Sequence, residues 1–168
     1  MFEKVNVEEL ALNPFDAIGR QWMLITAGTK DACNTMTASW GGLGVLWNKK
    51  VATAYIRPQR YTKKFVDEQQ YFTLSFFGEE YREALTLCGR VSGRDVDKVK
   101  ECGFTVGEGM NGAPYFEQAE LVLVCRKLYA DTIKPECFID TACDRECYPN
   151  CDHHTFYIGE VVEALKKK

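Results

Sequence analysis

The stretch NTMTASWGG, residues 34–42, is flanked by runs that read as strands, yet four of its nine positions carry hydroxyl or amide side chains. Two arrangements account for this. A strand with one face in water would turn Asn34, Thr35, Thr37 and Ser39 outward and pack Trp40 inward, since threonine suits a pleated surface. Alternatively the chain leaves a strand and turns inward, so that the four polar side chains meet a ligand with both a phosphate and a polar ring edge. Met36 and Trp40 would then form apolar walls.

Outward from this stretch, apolar and β-branched residues fill 21–28, 49–58, 71–78, 119–131 and 154–165, each bounded by Gly, Pro, Asn or Asp. Segments 61–70, 78–89 and 94–103 have spacing closer to helical. Strands dominate without a β-α-β alternation, so the expected fold is mainly β, an antiparallel barrel with peripheral helices. At 168 residues the chain is expected to form a single domain, residues 1–168.

Composition narrows the function classes. The chain is 46% hydrophobic and 27% charged, which suits a folded globular protein. Apolar runs such as LVLV at 121–124 are far too short for a spanning helix, so no membrane partner is expected. A net charge of −3 gives no basic excess for a phosphate backbone, so no nucleic-acid partner is expected either. The acidic N-terminus does not resemble an export signal, which points to the cytoplasm and to eight cysteines held mostly as thiols.

Against that net negative charge, RPQRYTKK (57–64) holds Arg57, Arg60, Lys63 and Lys64 without one acid. With Thr62 as a helix N-cap, Lys63 and Lys64 would fall in a first turn, where the helix dipole disfavours them. A phosphate would repair the misfit, because arginine bonds it bidentately and a helix start offers free donors. Pairing with Asp67 and Glu68 is the plainer alternative. Farther on, CGRVSGRDVDK (88–98) sets Ser92 and Gly93 at a turn or cap, with Lys98 one to two turns later.

Together, NTMTASWGGLG, IRPQRYT, FTLSFF, CGRVSGRDVDK and the late HHTFYIGEVV resemble, in order and spacing, the flavin reductase-like family of FMN-binding split barrels, and especially its flavoredoxin-like branch. The resemblance implies a six-stranded antiparallel Greek-key split barrel, a homodimer, and FMN held noncovalently near the subunit interface. It implies that Asn34, Thr35, Met36, Thr37, Ala38, Ser39 and Trp40 run along the cofactor, with the backbone amides of Met36 and Ala38 near the ring edge. Arg57, Tyr61 and Thr62 match the phosphate-side motif, and Ser92 and Lys98 match the segment that closes over the cofactor. His154 falls where related reductases carry a histidine in the catalytic pocket, although the adjacent His153 leaves the match ambiguous by one place.

The implied activity is electron transfer from NAD(P)H through bound FMN to a flavin or redox-protein acceptor. A flavoredoxin-type carrier that does not oxidise nicotinamide is the alternative, and the chemistry in both belongs to the flavin. Cys137, Cys143, Cys147 and Cys151 stand apart from the family pattern. Thiolates are soft metal ligands, but this spacing fits no common signature, so a thiol-rich loop competes with a metal-binding or thiol-sensing module. GEGMNG (107–112) matches a dinucleotide fingerprint but is followed by Ala-Pro instead of a helix, and reads as a turn between strands.

Overall fold

In the computed structural model, which describes residues 1–168, β1 (Phe2–Val5) and α1 (Pro14–Gly19) precede β2 (Met23–Gly28), β3 (Cys33–Ala38), β4 (Gly41–Leu46) and β5 (Lys49–Ile56). α2 (Thr62–Glu68) leads into β6 (Tyr71–Phe76), then α3 (Arg82–Arg90) and α4 (Lys98–Glu101). A short hairpin, β7 (Val106–Glu108) with β8 (Pro114–Phe116), comes before β9 (Leu121–Thr132). α5 (Thr141–Cys147) separates β9 from the final strand β10 (Thr155–Lys167). No helix is long and apolar enough to cross a membrane.

The main sheet is antiparallel and runs β3-β2-β6-β9-β10-β5-β4, with β1 beside the far end of β10. Its two edge strands, β3 and β4, are consecutive in the chain and joined by Ser39 and Trp40 alone. Three Cα steps reach at most about 11 Å. Seven strands laid flat would hold those edges about 29 Å apart at 4.8 Å per interval. The sheet therefore curls until its edges meet, and no ladder closes the seam between them. This is the split barrel with peripheral helices that the motifs imply, with seven strands along the path because residues 41–46 form one of their own.

Burial follows from the curl. In β2, Met23 and Ile25 join a cluster of 19 buried residues inside the barrel, while Leu24 joins a second cluster of 11 outside it. β9 divides in the same way, with Leu121, Leu123 and Cys125 inside and Val122 and Val124 outside. LVLV is unbroken in sequence because both of its faces are covered. The outer cluster is closed by Phe77, Leu85, Cys88, Phe104 and Phe116, so it fixes α3 and the hairpin against the sheet. GEGMNG supplies the hairpin turn, with Asn111 and Gly112 at positive φ.

α2 plugs one end of the barrel. Val66 enters the inner core, Lys127 donates to the carbonyls of Val66 and Asp67 at the helix end, and the Tyr157 hydroxyl donates to Asp67 Oδ1 at 2.5 Å. A cation at that terminus satisfies carbonyls the helix leaves free.

Several expectations need correction. Residues 33–38 remain in a strand, so the polar stretch does not leave the sheet until Ser39. Only Lys98–Glu101 of 94–103 is helical, and part of the thiol-rich stretch is the helix α5, capped by Asp140. Thr62 is not the cap of α2: Tyr61 holds that position and makes no side-chain bond there. Thr62 is instead buried, and its hydroxyl accepts from Asn34 Nδ2 at 2.8 Å, tying α2 to β3. Thr62→Val should strand the buried Asn34 amide and cost about 1–3 kcal/mol in urea unfolding, whereas Thr62→Ser should recover most of that. Equal losses in the two variants would show that the bond does not seat the helix.

Candidate functional site

At the open seam lies a cavity of about 200 Å³, with Met36 to Trp40 on one side and Tyr55, Arg57, Arg60 and His154 on the other. A second, apolar cavity of about 470 Å³ shares Ser39, Trp40 and Tyr55 with it and extends past α1. Beyond Met36 along β3, a third of about 440 Å³ is lined by Asn34, Thr35, Tyr61 and Lys98, with Asp31, Asp95 and Asp97 balanced by Lys30, Arg94 and Lys98. The three hollows follow the edge strand from Asn34 to Trp40. A cleft of about 700 Å³ elsewhere is edged by Asp16, Glu79, Glu80 and Glu120 with Arg20 and Arg82, so acids outnumber bases there.

The free edge of β3 explains the cations beside it. An edge strand exposes backbone groups that must find partners. Lys98 Nζ donates to the Thr35 carbonyl and the Cys88 carbonyl, both at 2.9 Å. Arg60 donates to the Gly89 carbonyl at 2.7 Å and the Thr37 carbonyl at 3.4 Å. The Thr37 hydroxyl also donates to the Leu85 carbonyl, which pins α3 to the strand. Because both backbone groups of a residue point to the same side of an antiparallel strand, the N–H groups of Thr35 and Thr37 face this edge. Those of Met36 and Ala38, the amides expected to face a ring edge, turn toward β2.

Both cations bond to carbonyls instead of carboxylates. Lys98 is 5% exposed, and burial pushes its ammonium down to about 8. Burial also disfavours the charge on Arg60. By contrast, Lys63 and Lys64 pair with Asp67 and Glu68 at 2.7 and 4.0 Å, the plainer of the two expectations for them. Arg57, expected on the phosphate side, pairs with Asp152 at 2.6 Å, donates to the Cys147 carbonyl at 2.9 Å and lies over the Tyr148 ring. Its charge is already met by the α5 segment. Arg60 and Lys98 reach the β3 carbonyls without a carboxylate partner, and Arg94, which lines the same hollow as Lys98, donates to the Gln59 carbonyl and lies over the Tyr61 ring.

His154, not His153, faces the seam. Its ring lies 5.1 Å from that of Trp40 and perpendicular to that of Tyr55, and its Nδ1 is 2.8 Å from the Tyr148 hydroxyl. Burial and then the Arg57 charge push its pKa down to about 4, so the imidazole is neutral near pH 7. His153 turns to α5, with Nε2 2.6 Å from Asp144 Oδ1 and its ring stacked on Tyr148.

Thus Met36, Thr37, Ala38, Ser39, Trp40, Arg57 and His154 share one cavity, while Asn34, Thr35, Tyr61 and Lys98 share another. Ser92 lines neither and instead accepts from the Arg94 amide at 3.2 Å in the turn after α3. That turn presses close: a Cβ on Gly93 would fall 1.9 Å from Asn34 Oδ1. Tyr55 and Tyr148 were not foreseen. Tyr55 sits among alternating residues of a strand, and only its pairing with Phe156 on β10 brings it to the seam. Cys137, Cys143 and Cys151 are exposed, and no group of three or more His, Cys, Asp or Glu side chains is arranged to hold a metal.

The fold has known counterparts. A flavoredoxin from Methanosarcina acetivorans is 24% identical, superposes with a TM-score of 0.68, and is matched over 88% of this chain and 69% of its own. An FMN-binding protein from Thermus thermophilus with bound p-hydroxybenzaldehyde gives 20%, 0.69, 88% and 71%. An NADH:FAD oxidoreductase from Streptomyces globisporus gives 17%, 0.66, 88% and 75%. No curated protein matches the sequence at a significant level. The profile of the flavin reductase-like domain matches residues 15–168, and with nearly the whole length covered, the chain belongs to that family.

Proposed function

We propose that this chain is an FMN-dependent oxidoreductase that accepts electrons from NAD(P)H and delivers them to a flavin or protein acceptor. The observation that carries this reading is the edge of β3, where buried Lys98 and half-buried Arg60 lie without carboxylate partners beside hollows that continue to an aromatic-walled seam. A phosphate suits those cations. The run from Asn34 to Trp40, about 20 Å at the rise of a strand, suits an extended mononucleotide. Arg60 and Lys98 would hold the phosphate, Asn34 and Tyr61 would flank it, and Trp40 and Tyr55 would wall the ring.

Bound FMN would supply the hydride and electron chemistry. The protein would orient it and keep one face open. The N–H groups of Thr35 and Thr37 are fixed donors that cost no reorganisation when charge grows on a nearby acceptor. A Tyr148 hydroxyl donating to Nδ1 would leave the His154 proton on Nε2, where the neutral ring offers a hydrogen bond without a positive charge.

The likeness to flavoredoxin favours a second reading, in which the chain carries electrons between redox proteins without oxidising nicotinamide. A metal-binding role for the cysteine cluster lacks an assembled ligand set.

We also assign a homodimer. Val45, Trp47 and Tyr129 are exposed at 73%, 54% and 45%, and the Trp47 and Tyr129 rings lie 6.4 Å apart. Trp47 holds positive φ in the β4–β5 turn, a conformation that disfavours bulky residues. An exposed apolar cluster of this kind suits self-association.

Three measurements test these assignments. Anaerobic mixing of the FMN-loaded protein with NADH or NADPH should bleach the flavin absorbance; no bleaching with either would leave the carrier reading alone. Because Lys98 loses its proton above about pH 8, the FMN dissociation constant should rise by up to tenfold per pH unit there, while that of riboflavin, which lacks the phosphate, stays flat. Parallel profiles for the two ligands would remove Lys98 from the phosphate site. In sedimentation velocity the protein should run as a dimer and Trp47→Glu as a monomer, and a wild-type monomer would refute the interface.

A further inference from the structure

The sulfur atoms of Cys88 and Cys102 lie 3.7 Å apart. Cys88 is fully buried near the end of α3, whereas Cys102 follows α4 and is partly exposed. Between them runs the segment that borders the third cavity: Gly93 against Asn34 and Tyr61, then Lys98. The carbonyls of Cys88 and its neighbour Gly89 receive the bonds from Lys98 and Arg60. The two thiols thus bracket the segment that carries Lys98 and supplies carbonyls to both candidate phosphate ligands. Their contact is less than about 2 Å longer than a disulfide bond, a gap that side-chain rotation can close.

We propose that Cys88 and Cys102 form a reversible disulfide that fastens residues 88–102 over the phosphate end of the cofactor site. The bond itself stands on the thiol geometry, while its effect on cofactor rests on the function proposed above. The oxidant is a low-molecular-weight disulfide. The Cys102 thiolate attacks it, forming a mixed disulfide and releasing one small thiol; the Cys88 thiolate then attacks the Cys102 sulfur and releases the second. One S–S bond breaks and one forms. The protein gives up two electrons and two protons, and the two small thiols carry them away.

The surroundings set the rate. Burial pushes Cys88 up to about 12 and raises Cys102 as well. The Lys98 charge opposes the rise at both thiols and Arg60 opposes it at Cys88, while Glu101 adds to it at Cys102 and Cys102 adds to it at Cys88. The thiolate fractions are therefore small at neutral pH, and exchange should quicken by roughly tenfold per pH unit between 7 and 9.

The test uses the full chain without flavin, incubated with oxidised glutathione at about pH 8.5, alkylated and digested with trypsin under non-reducing conditions. The expected product joins peptide 83–90 to peptide 101–126, with tandem spectra placing the bond on Cys102 instead of Cys125, and dithiothreitol reverses it. Cys102→Ser, a change at a partly exposed site, should abolish the product while the circular dichroism spectrum stays unchanged. Stable glutathione on Cys102 beside a free Cys88 would overturn the proposal. So would an unmodified Cys102 once Cys137, Cys143 and Cys151 have reacted fully. The linked protein should then differ from the reduced protein at least threefold in FMN affinity; equal affinities would overturn the fastening role. Failure of both forms to take up FMN would refute the cofactor reading, with the disulfide still decided by the peptide map.

Discussion

Everything at the site follows from one connection: Ser39 and Trp40 must carry the chain from one edge of a seven-stranded sheet to the other. Two residues cannot bridge a flat sheet, so the sheet curls, and they cannot complete a ladder, so a seam remains. β3 consequently keeps a free edge inside the molecule, where water alone does not satisfy it. Long cationic side chains from α4 and from the turn before α2 take over its carbonyls, leaving hollows where another strand would have filled the space.

The fold was legible wherever residue type and burial agree. Both faces of β2 and β9 are covered, and unbroken apolar runs announced them. β4 was not legible, because GGLGVL offers glycines in place of alternation and is held by its hairpin to β5. α5 was masked by cysteines, which suggested ligands or a loop instead of a capped helix. At the site, the polar stretch and the basic segment were each ambiguous alone, and both readings proved partly true. Residues 33–38 are a strand, but one whose outer edge opens on cavities. Two of the four basic residues are paired as plain surface charges, and Arg57 is occupied by Asp152 from 95 positions downstream, a contact that no local pattern could show.

The α5 segment decides how His154 and Arg57 stand. Tyr148 stacks on His153, meets His154 through its hydroxyl and lies beneath Arg57; Asp152 holds Arg57 and accepts from Gln59 at 2.7 Å. Each of these bonds joins the segment to a residue next to or on the seam. Cys147 contributes its carbonyl to Arg57, but no cysteine thiol takes part in these contacts, which separates the packing role of the segment from any chemistry of its thiols.

A buried cation without a carboxylate is an expensive way to satisfy a carbonyl, since desolvation opposes the charge and a neutral acceptor returns only part of the loss. Burial is the first cause of the lowered Lys98 pKa. A side chain with no charge could have served the strand edge equally well. What the ammonium and the guanidinium add is attraction for an anion, with no carboxylate bonded to either group, so the same groups that hold the seam open favour a phosphate-bearing ligand that enters it.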